Sequence, residues 1–331
     1  MTTMDQLIQD FPNQLVKALE IGRNAQISPG QEDIHHVFVA GMGGSGIGAN
    51  FVAAFIKEEC KVPYLIGKDY EIPSYIGKNT LAIASSYSGN TEETLIAFEQ
   101  ALARGARGIV IASGGQLIEK AKELGLDYIL LPGGSPSPRA CLGYSLVQQL
   151  FVLQKTGLIS ERATQEVEKS IQLLQAEQED IKQRAEQIAG FLQDKLPVIY
   201  TTGRMEPVAV RFRQQVNENA KMLCWHHVVP EMNHNELVGW RTEDNRLAVL
   251  YFRNRDDYAR NGVRIDINKE IIGNYTSTII ELYSKGDSLI ERSLYFVHLG
   301  DWISVYLAAL RGVDAIEIKV IDYLKSELAK V

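Results

Sequence analysis

Cysteine is scarce in this chain, and the three present, Cys60, Cys141 and Cys224, are too widely separated to suggest a metal-ligand or disulfide framework. An odd number of thiols and no recognisable signal peptide lead us to expect a reducing, cytoplasmic location. Nowhere does an apolar run approach the roughly 18 residues that a membrane span needs. No membrane partner is therefore expected. Basic arms and basic-aromatic stripes are also missing. The 34 Lys and Arg are outnumbered by 41 Asp and Glu, giving a formal charge of -7, so no nucleic-acid partner is expected either. At 331 residues the chain exceeds the usual size of one hydrophobic core, which predicts two domains.

Short apolar segments alternating with helical patterns fill most of the sequence. Strands are predicted at 36–40, 62–66, 80–84, 108–112 and 127–131, and again at 198–201, 247–252, 277–282 and 293–299. Helices are predicted at 4–21, 49–58, 91–104, 116–124 and 141–156, from Pro207 to about 221, and at 302–310 and 320–329. Alternation of this kind points to mainly parallel sheets covered on both faces. Between 160 and 194 Glu, Gln, Lys and Ala dominate, with a partial stripe of Ile171, Leu174, Ile181, Ile188 and Leu192, read as one long helix or a helical pair. A free coiled-coil arm is the alternative. The expected organisation is a first α/β domain over 1–159, a helical connector over 160–194 and a second α/β domain over 195–331.

Two strand-to-helix turns carry the strongest chemical signal. Ser86-Tyr87-Ser88-Gly89-Asn90-Thr91-Glu92-Glu93-Thr94 follows the strand at 80–84. Its hydroxyls and glycine at a helix start form a good cradle for a phosphate, since free backbone N–H groups there point at an anion. No lysine sits in the loop, which excludes a nucleotide P-loop. A polar turn with an N-cap is the plainer alternative. The second turn, Gly41-Met42-Gly43-Gly44-Ser45-Gly46-Ile47-Gly48, follows the strand at 36–40. It contains GxGxxG, but Glu58, Glu59 and Asp69 are poorly placed for the acidic residue of a dinucleotide fold.

Acid–base candidates lie further along. Val208, Phe212, Val216 and Ala220 form an i,i+4 stripe that should face a core, while Arg211, Gln214, Gln215 and Glu218 share another face. Glu218 falls near the C-terminal end of its helix, where the dipole disfavours a charged carboxylate, a setting suited to a general base if partly buried. The alternative is a surface glutamate. His234, in Pro230-Glu231-Met232-Asn233-His234-Asn235-Glu236, is the best acid–base candidate among the six histidines. A zinc site on Glu231 and His234 lacks a convincing third ligand, so no metal is expected. Arg139, after the fifth strand, could stabilise an oxyanion at the ligand rim, or could simply be a solvent-facing arginine at a helix start.

Taken in order, residues 41–48, 86–94, Pro138-Arg139-Ala140, 211–221 with Asn217-Glu218-Asn219-Ala220, 230–236 and 311–325 resemble the bifunctional phosphoglucose/phosphomannose isomerase family, built from two sugar-isomerase (SIS) domains. The likeness covers nearly the whole chain. It implies two SIS-type αβα sandwiches and reversible isomerisation of glucose 6-phosphate and mannose 6-phosphate to fructose 6-phosphate through a cis-enediolate. Residue by residue, it assigns phosphate binding to Ser45, Ser86, Ser88 and Thr91, with Gly43 and Gly44 as the adjoining backbone wall. It further makes Glu218 the base between carbons 1 and 2, His234 the ring-opening residue, Arg139 the enediolate-facing arginine and Lys325 the C-terminal active-site lysine. The resemblance implies no cofactor, and a homodimer in which His234 serves the neighbouring subunit's site. The alternatives are a single-specificity phosphoglucose isomerase, a sugar-phosphate-binding regulator without turnover, or a dehydrogenase.

Overall fold

The structure is a computed structural model and describes residues 2–29 and 33–330. The chain divides into two compact units, one formed by Gln9–Gln175 with Gly286–Glu291, the other by Ala176–Lys285 with the chain ends. The division falls within the long helix Arg162–Leu192.

In the first unit β1 (His36–Ala40), β2 (Tyr64–Gly67), β3 (Thr80–Ser85), β4 (Arg107–Ala112) and β5 (Asp127–Leu130) form a wholly parallel sheet in the order β2-β1-β3-β4-β5. Every residue of β3 is buried, which is why its sequence shows a continuous apolar run instead of alternation. Phe38, Ala40, Ala82, Ala84, Val110 and Ala112 face one layer of helices, α4 (Glu92–Ala103) and α5 (Gly115–Leu124), packing on Phe98, Ala101, Leu117 and Ala121. The alanines on that face let the helices approach closely. Helix α3 (Gly43–Ile56) joins β1 to β2 and packs against α6 (Leu142–Lys155), which also packs on α2 (Phe11–Asn24). The single helix predicted over 4–21 is broken into α1 (Met4–Gln9) and α2, with Asp10 as the N-cap and a proline in the opening turn of α2.

In the second unit β6 (Leu196–Thr202), β7 (Trp225–Val229), β8 (Leu247–Arg253) and β9 (Ile279–Tyr283) form another parallel sheet, ordered β7-β6-β8-β9. Val198, Tyr200, Val229, Val249 and Tyr251 pack on one face with Ile265 and Ile272 of α9 (Ala259–Ile272). On the other, Phe252 meets Phe212 of α8 (Glu206–Ala220) at 5.5 Å and Phe296 of α10 (Leu289–Leu310) at 5.0 Å between ring centroids. The α/β architecture with parallel sheets is the one the alternation predicted, with α7 (Arg162–Leu192) as one long helix.

Two expectations need correction. Residues 293–299, read as a strand, lie inside α10. All seven are almost completely buried, so the segment lacks the polar stripe that marks a helix and its Tyr-Phe-Val run imitates a strand. Conversely, β7 was not predicted, because Trp225-His226-His227 gives an edge strand without a clean apolar repeat. Helix α10 is also long and apolar enough to meet a membrane-span criterion, with mean hydropathy 1.2, but 83% of that window is covered by protein.

His298, on α10, is fully buried, and burial pushes its pKa down to about 3. The folded protein therefore holds it neutral while the unfolded chain, with imidazole near about 6.5, takes up a proton as pH falls. Its contribution is complete above the unfolded pKa and is lost on acidification towards pH 3. We expect this site to cost the wild type on the order of 2 kcal/mol of stability by about pH 5. Urea denaturation across pH should show that His298→Gln flattens this limb.

Candidate functional site

In a parallel sheet the carboxyl ends of neighbouring strands open a crevice where the winding direction reverses. In the first unit that reversal lies between β1 and β3, which pair in register from His36 with Thr80 to Ala40 with Ala84. Both glycine-serine loops leave these two strands. The turn after β1 enters α3 at Gly43, which adopts φ 47°, and Ser45 and Gly46 already donate to the Met42 carbonyl at 3.0 and 2.9 Å. A Cβ on Gly46 would come within 2.5 Å of the Gly41 carbonyl oxygen, so the turn is closed too tightly for any side chain there.

The turn after β3 is organised by its own hydroxyls. Ser86 Oγ lies 2.8 Å from Thr91 Oγ1 and accepts from the Gly89 amide at 3.2 Å, while Ser88 Oγ accepts from the Asn90 amide at 3.2 Å. Ser86 is buried, Ser88 exposed and Thr91 half-buried at the N-cap of α4. These residues ring the start of a helix whose first amides have no helical acceptor. Tyr87 turns the other way and donates to the Pro132 carbonyl at 2.9 Å; burial raises its phenol pKa to about 12, so it remains a neutral donor.

Arg139 belongs to the same unit, in the 3-10 turn Pro138–Cys141. It is 5% exposed, which overturns the solvent-facing alternative. Its backbone lies against the first glycine turn, since a Cβ on Gly44 would sit 3.4 Å from Arg139 Cα. Gly43, Gly44, Ser45, Ser86, Ser88, Thr91 and Arg139 are thus gathered by one sheet and its loops.

Glu218, His234 and Lys325 belong to the second unit. Helix α8 buries Val208, Phe212, Val216 and Ala220 as the stripe predicted. The neighbouring face is not a solvent face throughout. Arg211 is buried and makes two hydrogen bonds to Asp301, at 3.1 and 2.8 Å, and Asn219 donates to Ser304 at 2.9 Å. These pairs fix the rotation of α8 against α10, and with it the direction of half-buried Glu218.

Sequence reading passed over Lys221, which caps this helix. It adopts φ 54°, and its ammonium donates to the carbonyls of Glu218, Asp314 and Glu317 at 2.6, 2.8 and 2.7 Å. The signal was a helix ending on lysine where glycine is usual, a cation placed on the carbonyl end of the dipole. Glu218 and Lys221 line a cavity of about 380 Å³ together with Met222, Ile318 and Ile321. Ile321 and Lys325 are spaced i,i+4 on α11 (Lys319–Leu328), so exposed Lys325 lies one turn beyond Ile321 on the same side of the helix.

His234 ends the 3-10 turn Glu231–His234 and is exposed. Glu231, weighed with it as a zinc ligand, instead accepts from Asn235 Nδ2 at 2.9 Å. Among the described residues no group of three or more His, Cys, Asp and Glu is placed to hold a metal ion.

The second sheet has its own reversal, between β6 and β8, but a carboxylate fills the position. Asp257, just ahead of α9, accepts from Thr202 Oγ1 at 2.7 Å and from Asn254 Nδ2 at 3.1 Å. An internal acid at a helix start repels a second anion, so the reversals of the two sheets differ in what they can hold.

The SIS domain family matches residues 32–139, and the family described as the bacterial phospho-glucose isomerase C-terminal SIS domain matches residues 181–328. A bifunctional phosphoglucose/phosphomannose isomerase from Caldicellulosiruptor bescii is 39% identical, over 99% of this chain and 99% of its own. The chain belongs to the bifunctional phosphoglucose/phosphomannose isomerase family. A second member, from Aquifex aeolicus, is 37% identical over 89% of this chain and 90% of its own. Among solved structures, the C-terminal domain of glucosamine-fructose-6-phosphate aminotransferase from Francisella tularensis shares the fold. Its TM-score is 0.77 at 14% identity, covering 94% of this chain and 97% of that one.

Gly89 offers a direct check on the serine turn. It has φ 71°, and an added Cβ would lie 1.8 Å from the Gly114 carbonyl oxygen. Gly89→Ala should destabilise the protein by about 1–3 kcal/mol in urea titrations and weaken inorganic phosphate binding in the same preparation.

Proposed function

We propose that this chain reversibly isomerises glucose 6-phosphate and mannose 6-phosphate to fructose 6-phosphate through a shared cis-enediolate. The observation that carries the reading is end-to-end identity of 39% with a curated enzyme of that name, spanning both SIS units. The hydroxyl-lined turn at the β1/β3 reversal supports it independently, being suited to a phosphate monoester without a nucleotide P-loop.

In this reading Ser45, Ser86, Ser88 and Thr91 hold the phosphate, with the amides of Gly43 and Gly44 beside them. Anchoring a group that does not react lets binding energy orient the carbons that do. His234, assisted by Lys325, moves protons between the ring oxygen and the anomeric hydroxyl to open the sugar. Glu218 takes the proton from carbon 2 of either aldose and returns it to carbon 1. The buried guanidinium of Arg139 stabilises the oxygen charge that develops between these steps. Both epimers lose the same stereocentre on forming the enediolate, and one base serves both where the open chain has room to rotate about its C2–C3 bond. The reaction needs no redox cofactor.

We assign the active form to a homodimer in the cytoplasm. Exposed apolar side chains on α11 and near Glu218 support the first part: Val320 and Leu223 are each 82% exposed, and Tyr323 and Leu324 more than half. The free thiols of Cys60, Cys141 and Cys224 support the second.

The test is turnover of purified protein on fructose 6-phosphate, with glucose 6-phosphate and mannose 6-phosphate measured as separate products. Comparable formation of both is expected. Glu218→Gln should lower kcat by about 10²–10⁴ for both while leaving phosphosugar affinity nearly unchanged. Ser86→Ala should mainly raise KM. Tight binding without turnover in the wild type would select the regulatory alternative, and turnover to glucose 6-phosphate alone the single-specificity one.

A further inference from the structure

The loop that bears His234 is tied to the second sheet by one carboxylate. Glu236 Oε1 accepts from the Tyr200 hydroxyl at 2.5 Å and from Trp225 Nε1 at 3.0 Å, while Oε2 pairs with His227 Nδ1 at 2.7 Å. Tyr200 lies on β6, and Trp225 and His227 lie two residues apart on β7, so both point to the same face of the sheet. Trp240 Nε1 donates to the Tyr200 hydroxyl at 3.1 Å, which closes the far end of the loop on the same cluster. An ionised carboxylate only accepts, and three donors on two strands converge on this one. The Tyr200 phenol stays protonated, and so a donor, because burial and then the adjoining carboxylate drive its pKa far up.

On the other side of His234 the loop is held by different means. Met232 is fully buried, and Asn233 Nδ2 donates to Asn268 Oδ1 at 2.6 Å, on α9. Only His234 and Asn235 stand exposed between these anchors. Asn235 ties the arch to itself, accepting from the Glu236 amide at 2.6 Å and donating to Glu231 at 2.9 Å. Removing the Glu236 carboxylate would free one leg of the arch and leave a tyrosine, a tryptophan and a histidine without their shared acceptor.

We propose that Glu236 is a positioning residue for His234: by tying its loop to β6 and β7, it sets where the imidazole stands during ring opening. This rests on the acid–base reading of His234 given above. A misplacement of about 1 Å can cost a reaction about 10²-fold, so the effect belongs in kcat. The phosphate-binding side chains lie in the other unit and leave KM nearly unchanged.

A double-mutant cycle on the full-length protein, assayed with fructose 6-phosphate, tests this. Glu236→Ala should lower kcat by about 10–100-fold with KM within about threefold. Glu236→Gln, which keeps an acceptor for Tyr200 and Trp225, should recover most of the loss. In a His234→Ala background the Glu236→Ala penalty should shrink to less than about twofold. If Glu236→Ala proves unfolded by thermal melting, Tyr200→Phe replaces it in the cycle and should show the same disappearance of a smaller penalty. A penalty that persists in full without His234, or a folded Glu236→Ala with unchanged kcat, overturns the proposal alone. Wild-type turnover in His234→Ala overturns the reading of His234 and the proposal together.

Discussion

The first unit depends on one topological constraint, the reversal of winding between β1 and β3. Parallel strands must be joined by crossovers of one hand, so the helices leaving two adjacent strands in opposite directions fall on opposite faces of the sheet. Their starting ends remain side by side at the sheet's carboxyl edge. That crevice cannot be filled by the helices themselves, and it gathers the amides that helices leave unpaired. The serine and threonine hydroxyls, the crowded Gly46 and Gly89 and the buried Arg139 all lie in the loops at that edge, where we propose the phosphate sits. Alanines at 40, 82, 84 and 112 allow α4 and α5 to lie close enough to shape its far wall.

The second unit repeats the architecture and uses it differently. Its β6/β8 reversal already holds Asp257, satisfied by Thr202 and Asn254. The chemistry we assign to this unit sits instead on the end of α8 and on the loop after β7. Buried polar pairs, Arg211 with Asp301 and Asn219 with Ser304, give α8 a single rotational setting that apolar packing alone would leave less sharply defined. Lys221 then ties the helix end to the carbonyls of Asp314 and Glu317. In the reading proposed here, one unit holds the phosphate and the other supplies the acid–base groups.

Much of this could be read from the residues, for identifiable reasons. Buried parallel strands announce themselves as apolar runs, and β1, β3 and β8 fall within a residue or two of their expected limits. Glycine-serine turns do so because few other residues fit them. Helix α10 was misread in part because a helix buried on every side carries no stripe, and β7 was missed because its paired histidines interrupt the pattern. The burial of Arg211 was illegible for another reason: it depends on Asp301, a partner far away in sequence. The convergence of Tyr200, Trp225 and His227 on Glu236 depends on strand order and was equally out of reach. Motif resemblance supplied roles for Glu218, His234 and Lys325, but not what holds them.

The central claim is that one base forms one enediolate for both epimers. Its most direct test is to convert fructose 6-phosphate in deuterium oxide and read deuterium at carbon 2 of each aldose product by NMR. A proton carried on a carboxylate exchanges with solvent, so the account predicts deuterium at that carbon in both glucose 6-phosphate and mannose 6-phosphate. It also predicts that Glu218→Gln abolishes incorporation into the two together. Deuterium at carbon 2 of only one wild-type product, or loss of incorporation into only one epimer in Glu218→Gln, would mean that a second base is at work and would contradict the account.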